Sequence, residues 1–190
     1  MGAQWHGETH HIRRAAAEDL PAVARIYEDI LDAQDAGELT VGWARGVYPT
    51  AATAEAALGR GDLFVLEEDG AVLGAAVINR LQVDVYALAP WAHEAADGEV
   101  CVLHTLVISP SAARRGLGKR FVRFYEDYAR DHGMSELRID TNARNARARA
   151  MYAGLGYREV AIVPTVFNGI PNVELVLLEK NLDARAQDAF

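Results

Sequence analysis

Along the first third of the chain the apolar positions change period several times, and each change marks an element. His11 to Ala15 runs into Glu18, Asp19 and Pro21, the chemistry of a short strand followed by a helix start. Leu20, Val23, Tyr27, Ile30 and Leu31 then return at helical spacing, which predicts an amphipathic helix. A loop over 37–49 holds Trp43, Tyr48 and Pro49. An Ala-rich helix is expected after it, from Thr50 to Leu58 with Gly59 as its stop. Leu63 to Glu67 and Val72 to Asn79 flank Asp69-Gly70, a dipeptide suited to the tight turn of a hairpin, so two antiparallel strands are predicted.

In the remainder, Val83 and Val85 alternate with Gln82, Asp84 and Tyr86, which predicts a strand extension before a polar, acidic loop from Pro90 to Gly98. Val100 to Ile108 is nearly all apolar, as a central strand covered on both faces would be, and stops at Ser109-Pro110. Leu117, Phe121, Phe124, Tyr125 and Tyr128 mark a helix ending near Gly133, and Leu137 with Ile139 mark the next strand. Asn145 to Leu155 reads as a helix closed by Gly156. Tyr157 to Val163 and Val173 to Leu178 read as two last strands joined by a Gly/Pro loop. The result is a mixed α/β chain with no internal repeat.

Composition narrows the function classes. The chain of 190 residues is 51% hydrophobic, enough for one sizeable core. Its net charge of −8 disfavours a nucleic-acid partner. Apolar runs such as Ala75 to Ile78 are too short to cross a bilayer, and no targeting segment is visible. A single cysteine, Cys101, permits no intrachain disulfide and no cysteine-based zinc site, so a reducing cytoplasm is expected. His6, Glu8, His10 and His11 crowd the start without a known ligand spacing, and no metal is expected.

The segment SAARRGLGKRF places Gly116 and Gly118 between an apolar strand and an amphipathic helix. Glycines let backbone approach a ligand closely, and unpaired N–H groups at a helix start converge on an anion, so the turn suits a pyrophosphate. An ordinary glycine turn with Arg114, Arg115 and Lys119 as solvated charges is the plainer reading. A Walker loop fails here, because Ala113 stands where a glycine is needed and Arg120 where Ser or Thr is needed. A dinucleotide-binding G-x-G-x-x-G fails too, because Phe121 takes the third glycine's place.

The run V-x-x-S-P-x-x-x-R-R-G-L-G-K, followed by NARARAMYAGLGY, resembles two linked motifs of the GNAT superfamily of acyl-CoA-dependent N-acetyltransferases. Ala113 departs from the Gln or Arg that the family's loop usually carries. The likeness covers 11–182 as a single domain, with flexible ends expected at 1–10 and 183–190. It implies a GNAT-type mixed, mostly antiparallel central sheet with helices on both faces. It also implies acetyl transfer from acetyl-CoA, as co-substrate, to a primary amine of a small molecule by direct attack. Protein or peptide acetylation, and a non-catalytic acyl-CoA-binding domain, are the alternatives; a homodimer is left open.

The resemblance assigns cofactor binding to Leu106, Val107 and Ile108, where the central strand is expected to splay, to Arg114, Arg115, Gly116, Leu117, Gly118 and Lys119 in the turn, and to Asn145 and Tyr152. Tyr152, a phenol of reference pKa ~10, suits the acid that protonates the leaving thiolate. Many family members carry a glutamate on the central strand where this chain has His104. That imidazole is either the base or a buried strand histidine bonded to a neighbour. Glu99, Asp84 and Tyr86 are substitutes. Trp43 and Tyr48, with Asp84, Tyr86 and the acids near Glu94 and Asp97, are candidates for binding the acceptor. Cys101 and His104 lie three apart on a strand and face opposite ways, which disfavours a thiol dyad.

Overall fold

A computed structural model of the protein describes residues 10–183. The ends expected at 1–10 and 183–190 fall outside it except for their inner residues, as do His6 and Glu8. Among the described residues, seven strands form one sheet in the order β1-β2-β3-β4-β5-β7-β6. They are β1 (His10–Arg14), β2 (Leu63–Glu68), β3 (Ala71–Asn79), β4 (Val100–Ile108), β5 (Glu136–Asn142), β6 (Arg158–Phe167) and β7 (Ile170–Asn181). Only β4 and β5 run parallel; every other neighbouring pair is antiparallel. Helices α1 (Leu20–Asp35), α2 (Ala51–Arg60), α3 (Leu117–Asp131) and α4 (Ala146–Gly154) divide between the two faces.

The division follows the alternation of strand side chains. Val23, Ile26, Tyr27 and Ile30 of α1, with Ala54 and Ala57 of α2, bury against Val65, Ala75, Val77 and Val107 on one face. Phe121, Val122, Tyr125 and Ala129 of α3, with Tyr152 of α4, bury against Cys101, Leu103, Leu137, Ile139, Val176 and Leu178 on the other. The first face continues past the two helices as a cluster of Tyr86, Val100, Val102, Val173, Leu175 and Leu177. There the segment after β3, rather than a helix, covers the sheet.

Three sequence expectations need correction. Val83 to Tyr86 is not a strand: Asp84–Leu88 forms a 3-10 turn that buries Tyr86, because Trp91 Nε1–H donates to the Tyr86 carbonyl at 2.8 Å and folds the segment back on itself. Helix α2 runs through Gly59 and stops at Gly61, whose φ of 77° supplies the left-handed turn. The last two strands are longer than expected. They continue through Pro164 and Pro171 to a tight hairpin turn at Asn168-Gly169, where both residues have positive φ. Pro164 is tolerated because β6 is an edge strand.

Two buried polar contacts tie the layers together. Lys180 of β7 donates to Glu126 of α3 at 2.7 Å and to the Leu155 carbonyl after α4 at 2.8 Å, so one cation holds both helices to the sheet. Tyr125 of α3 is fully buried, and its hydroxyl donates to the Cys101 carbonyl of β4 at 2.5 Å, with the Arg138 carbonyl of β5 at 3.2 Å. It bridges the parallel pair where that pair is still closed. Tyr125→Phe leaves the ring packing intact but strips both carbonyls of this partner, and is expected to lower stability by about 1–2 kcal/mol in urea denaturation.

Candidate functional site

The parallel pairing of β4 with β5 runs from Val100 opposite Glu136 to Leu103 opposite Ile139, and stops. Beyond that point β5 stays with β7, Asp140 to Asn142 pairing with Leu177 to Leu175. β4 stays with β3, Val107 pairing with Ala75 and Ile108 with Gly74. Each strand follows its outer neighbour, so the two part. At the parting β4 spends one residue more than β3 between two successive pairings, a bulge in which Thr105 takes φ 49°. A β-branched residue in that region costs about 1–3 kcal/mol and persists only where its surroundings hold it. Here the Tyr48 hydroxyl hydrogen-bonds the Thr105 hydroxyl.

The gap is a cavity that passes through the sheet. Leu103, Thr105 and Leu106 line it from β4, and Asp140, Thr141 and Asn142 from β5. Asn145, Ala148 and Tyr152 close it on the α4 side, while Trp43, Tyr48, Phe167 and Ile170 stand at the other. Asn145 also caps α4, its Oδ1 accepting the Ala148 N–H at 3.1 Å. Gln34 holds the α1–α2 loop in place, its Oε1 accepting the Gly42 N–H at 2.8 Å and its Nε2 donating to the Trp43 carbonyl at 2.9 Å. Gly42 is required there: with φ 77°, a Cβ on it would come within 2.2 Å of the Asn142 side chain.

Asp140 is the carboxylate of this gap. It accepts a hydrogen bond from the Tyr86 hydroxyl at 2.8 Å, on the sheet face opposite α4. Burial pushes its pKa up to about 6, against the opposing pull of the Tyr86 bond. Tyr152 stands on the other side, buried and edge-on to Tyr157 with centroids 5.8 Å apart. Burial, then the Asp140 charge, raises its phenol above the usual range and keeps it a proton donor. Tyr48 is likewise raised by burial, to about 12. The sequence reading missed Asp140. Its only local signal is an acid inside LRIDTN, between the core residue Ile139 and Thr141.

At the other end of the gap, β4 leads through a 3-10 turn into α3. Arg114 and Gly116 both have positive φ, and Gly116 caps the helix. The first return bond runs from the Arg120 N–H to the Gly116 carbonyl at 3.1 Å, which leaves the N–H groups of Leu117, Gly118 and Lys119 without an intrahelical carbonyl. That is an anion cradle in the chemistry of its donors. The side chains divide: Lys119 and Arg114 are exposed, Leu117 enters the core, and Arg115 makes a two-bond pair with Glu68 at 2.7 and 2.8 Å. Gly118 also allows close packing, since a Cβ on it would lie 3.1 Å from Met151 Sδ of α4. Val107 is buried against α1 and α2, and Ile108 packs by Gly74.

The other predicted residues lie away from the cavity lining. His104 Nε2 is 3.1 Å from Asn79 Oδ1, and Asn79 Nδ2 donates to Asp62 Oδ2 at 2.8 Å. Burial pushes this imidazole down to about 4. Glu99 is exposed at the opposite end of β4, where it accepts the Ala96 N–H at 2.9 Å. Asp84 is exposed, and Tyr86 acts through Asp140. Cys101 is fully buried, and burial pushes its thiol up to about 12.

A family model described as the acetyltransferase (GNAT) family matches residues 23–157. The chain belongs to this family. Among relatives of this GNAT chain, aminoglycoside N(6')-acetyltransferase type 1 of Klebsiella aerogenes is 32% identical over 101 residues, covering 53% of this chain. The match spans 61% of that relative's length. The fold is shared with an N-acetyltransferase of Staphylococcus aureus Mu50, with TM-score 0.66, 21% identity and coverage of 92% of this chain and 99% of that one. It is shared too with yncA of Salmonella typhimurium, a structure with its cofactor acetyl-CoA, with TM-score 0.63, 21% identity and coverage of 93% and 95%.

Two outcomes are expected of variants. Gly118→Val places bulk between the α3 donors and Met151 and should weaken CoA ~10-fold or more in calorimetry, because charge-assisted bonds are worth ~1.5–3 kcal/mol each. An unchanged affinity in folded protein would refute the cradle. His104 stays neutral in the fold to about pH 4, while in the unfolded chain it takes up a proton near the ordinary histidine value of 6.5. The native protein therefore loses stability as pH falls from 6.5 to 4. His104→Gln should remove that slope from denaturation curves and leave the shape of the kcat/KM pH profile unaltered.

Proposed function

We propose that this chain transfers an acetyl group from acetyl-CoA directly to the amine of a small molecule, with Asp140 as the base and Tyr152 as the acid. The observation that carries the proposal is their placement: both line one gap, from opposite faces of the sheet. Attack on a thioester carbonyl forms a C–N bond and breaks a C–S bond, so a proton must leave the nitrogen and another must reach the sulfur. A carboxylate of pKa about 6 is ionised at neutral pH and close enough to it to accept the first. A phenol kept protonated by burial supplies the second.

The α3 donors and the Gly116–Gly118 turn fit the pyrophosphate of CoA, and the unpaired edges of β4 and β5 beyond Leu103 and Ile139 fit its amide-bearing arm. The acetyl-CoA in the yncA structure supports that use of the shared fold. Direct attack is preferred to an acyl-cysteine, because Cys101 is buried outside the gap with a raised thiol pKa. The aminoglycoside acetyltransferase likeness supports a small-molecule acceptor over a protein one. Thiol release from acetyl-CoA over a panel of amines and peptides tests the choice, and turnover confined to peptides would reverse it.

Asp140→Asn should cut kcat/KM by ~10² to 10⁴ and abolish an acidic limb near pH 6, while Tyr152→Phe should lower kcat with CoA affinity unchanged. Stability gives an independent check. The Asp140 pKa lies above the ordinary aspartate value of 3.8, so its contribution to folding is complete below 3.8 and is lost as pH rises through about 6. Relative to wild type, Asp140→Asn should therefore melt higher at pH 8 than at pH 4. The same difference at both pH values would contradict the raised pKa of this carboxylate.

A further inference from the structure

We infer that the acceptor, if the site transfers acetyl groups as proposed above, is a monoamine with an apolar or aromatic body, rather than a polyamine, an aminoglycoside or an amino acid. Charge is the first reason. Among the described residues, Asp140 is the one carboxylate lining the cavity, and no Lys, Arg or His lines it. One ammonium therefore finds a partner. A second ammonium, or the carboxylate of an amino acid, would be desolvated there unpaired, which is strongly unfavourable. Acids nearby do not make up the deficit: Glu28, Asp32 and Asp35 of α1 are all engaged by Arg45 of the adjoining loop. Asp84, Glu94 and Asp97 do not line the cavity.

The lining on the Asp140 face is the second reason. Val41 and Trp43 come from the α1–α2 loop, Phe167 and Ile170 from the β6–β7 hairpin, and Val173 and Leu175 from β7. Phe167, Ile170, Val173 and Leu175 belong to the apolar cluster that contains Tyr86, whose hydroxyl holds Asp140. Trp43, Phe167 and Ile170 are only half-buried, so their apolar surface is open to a guest. Trp43 stands edge-on to Tyr48 with centroids 6.1 Å apart, one aromatic wall of the space. The loop and the hairpin also meet, since a Cβ on Gly169 would lie 3.2 Å from Val47 Cγ1. One half-buried anion is thus bounded by apolar walls on two elements that touch, which matches a single ammonium on a hydrophobic body.

Thiol release at saturating acetyl-CoA, with 2-phenylethylamine, hexylamine, phenylalanine, spermidine and kanamycin as acceptors, tests this. The kcat/KM for 2-phenylethylamine should exceed those for spermidine, kanamycin and phenylalanine by ~10-fold or more, the scale on which pockets separate such acceptors. Phe167→Asp, at a half-buried hairpin position, should raise KM for 2-phenylethylamine and lower it for spermidine, with the fold checked by circular dichroism. Preference of the wild type for spermidine, kanamycin or phenylalanine would overturn the inference alone, as would an unaltered ranking in folded Phe167→Asp. No turnover with any of the five, in protein that binds acetyl-CoA, would instead overturn the transfer reading beneath it.

Discussion

The parting of β4 from β5 after Leu103 and Ile139 is the constraint on which the rest of the structure depends. In a fully paired sheet this position would be dry, filled and without free hydrogen-bonding groups. Here the backbone edges separate because each strand keeps its outer partner, and a cavity opens through the middle of a sheet. The Thr105 bulge makes the turn in β4, and the Tyr48 hydroxyl fastens it. Tyr48 in turn belongs to a loop held by Gln34 of α1, so the first helix helps to keep the central strand bent.

Helix α3 joins the two ends of this arrangement. Its N-terminal N–H groups lie just beyond the open end of the fork, while Tyr125, farther along the same helix, contacts carbonyls of both strands at the closed end. Lys180 then anchors α3 and the end of α4 to β7 through one buried cation. Breaking a buried pair by removing one partner is far more costly than any surface pair, so these contacts hold the helix ends in register. Gly118 of α3 lies close against Met151 of α4, which sets the donor turn beside the helix that carries Tyr152.

Much of the fold was legible in periodicity because its elements are conventional. The Asp69-Gly70 hairpin, the apolar run of β4, the α3 crossover and the terminating glycines at 133 and 156 express local chemistry directly. Where the reading failed, a tertiary contact overrode it. Val83 and Val85 alternate as a strand would, yet Trp91 folds their segment into a 3-10 turn that seats Tyr86 beneath Asp140. Pro164 and Pro171 looked like loop residues, because nothing local says that β6 is an edge. The paired motifs led to the donor turn and to Tyr152. Asp140 was invisible, because whether a strand acid is solvated, paired or poised depends on where two strands separate, and strand separation is a relation between distant residues.

In the proposed mechanism, the divided lining of the gap lets an acid and a base coexist in it without cancelling. A direct bond from Tyr152 to Asp140 would use up the one O–H that Tyr152 has to give, whereas a carboxylate that accepts one bond keeps further lone pairs for a substrate. Here Asp140 is bonded to Tyr86 on one face, and Tyr152 belongs to the core cluster of the other. The influence of Asp140 on Tyr152 is a charge effect that raises the phenol further, so the carboxylate helps to keep the phenol protonated. Tyr86 is raised well above the usual range by burial and then by Asp140, so it remains a donor that orients the carboxylate without taking its place. In the proposed mechanism, proton removal and proton delivery thus fall to different sides of one opening, and the carbonyl under attack needs only to lie in the opening between them.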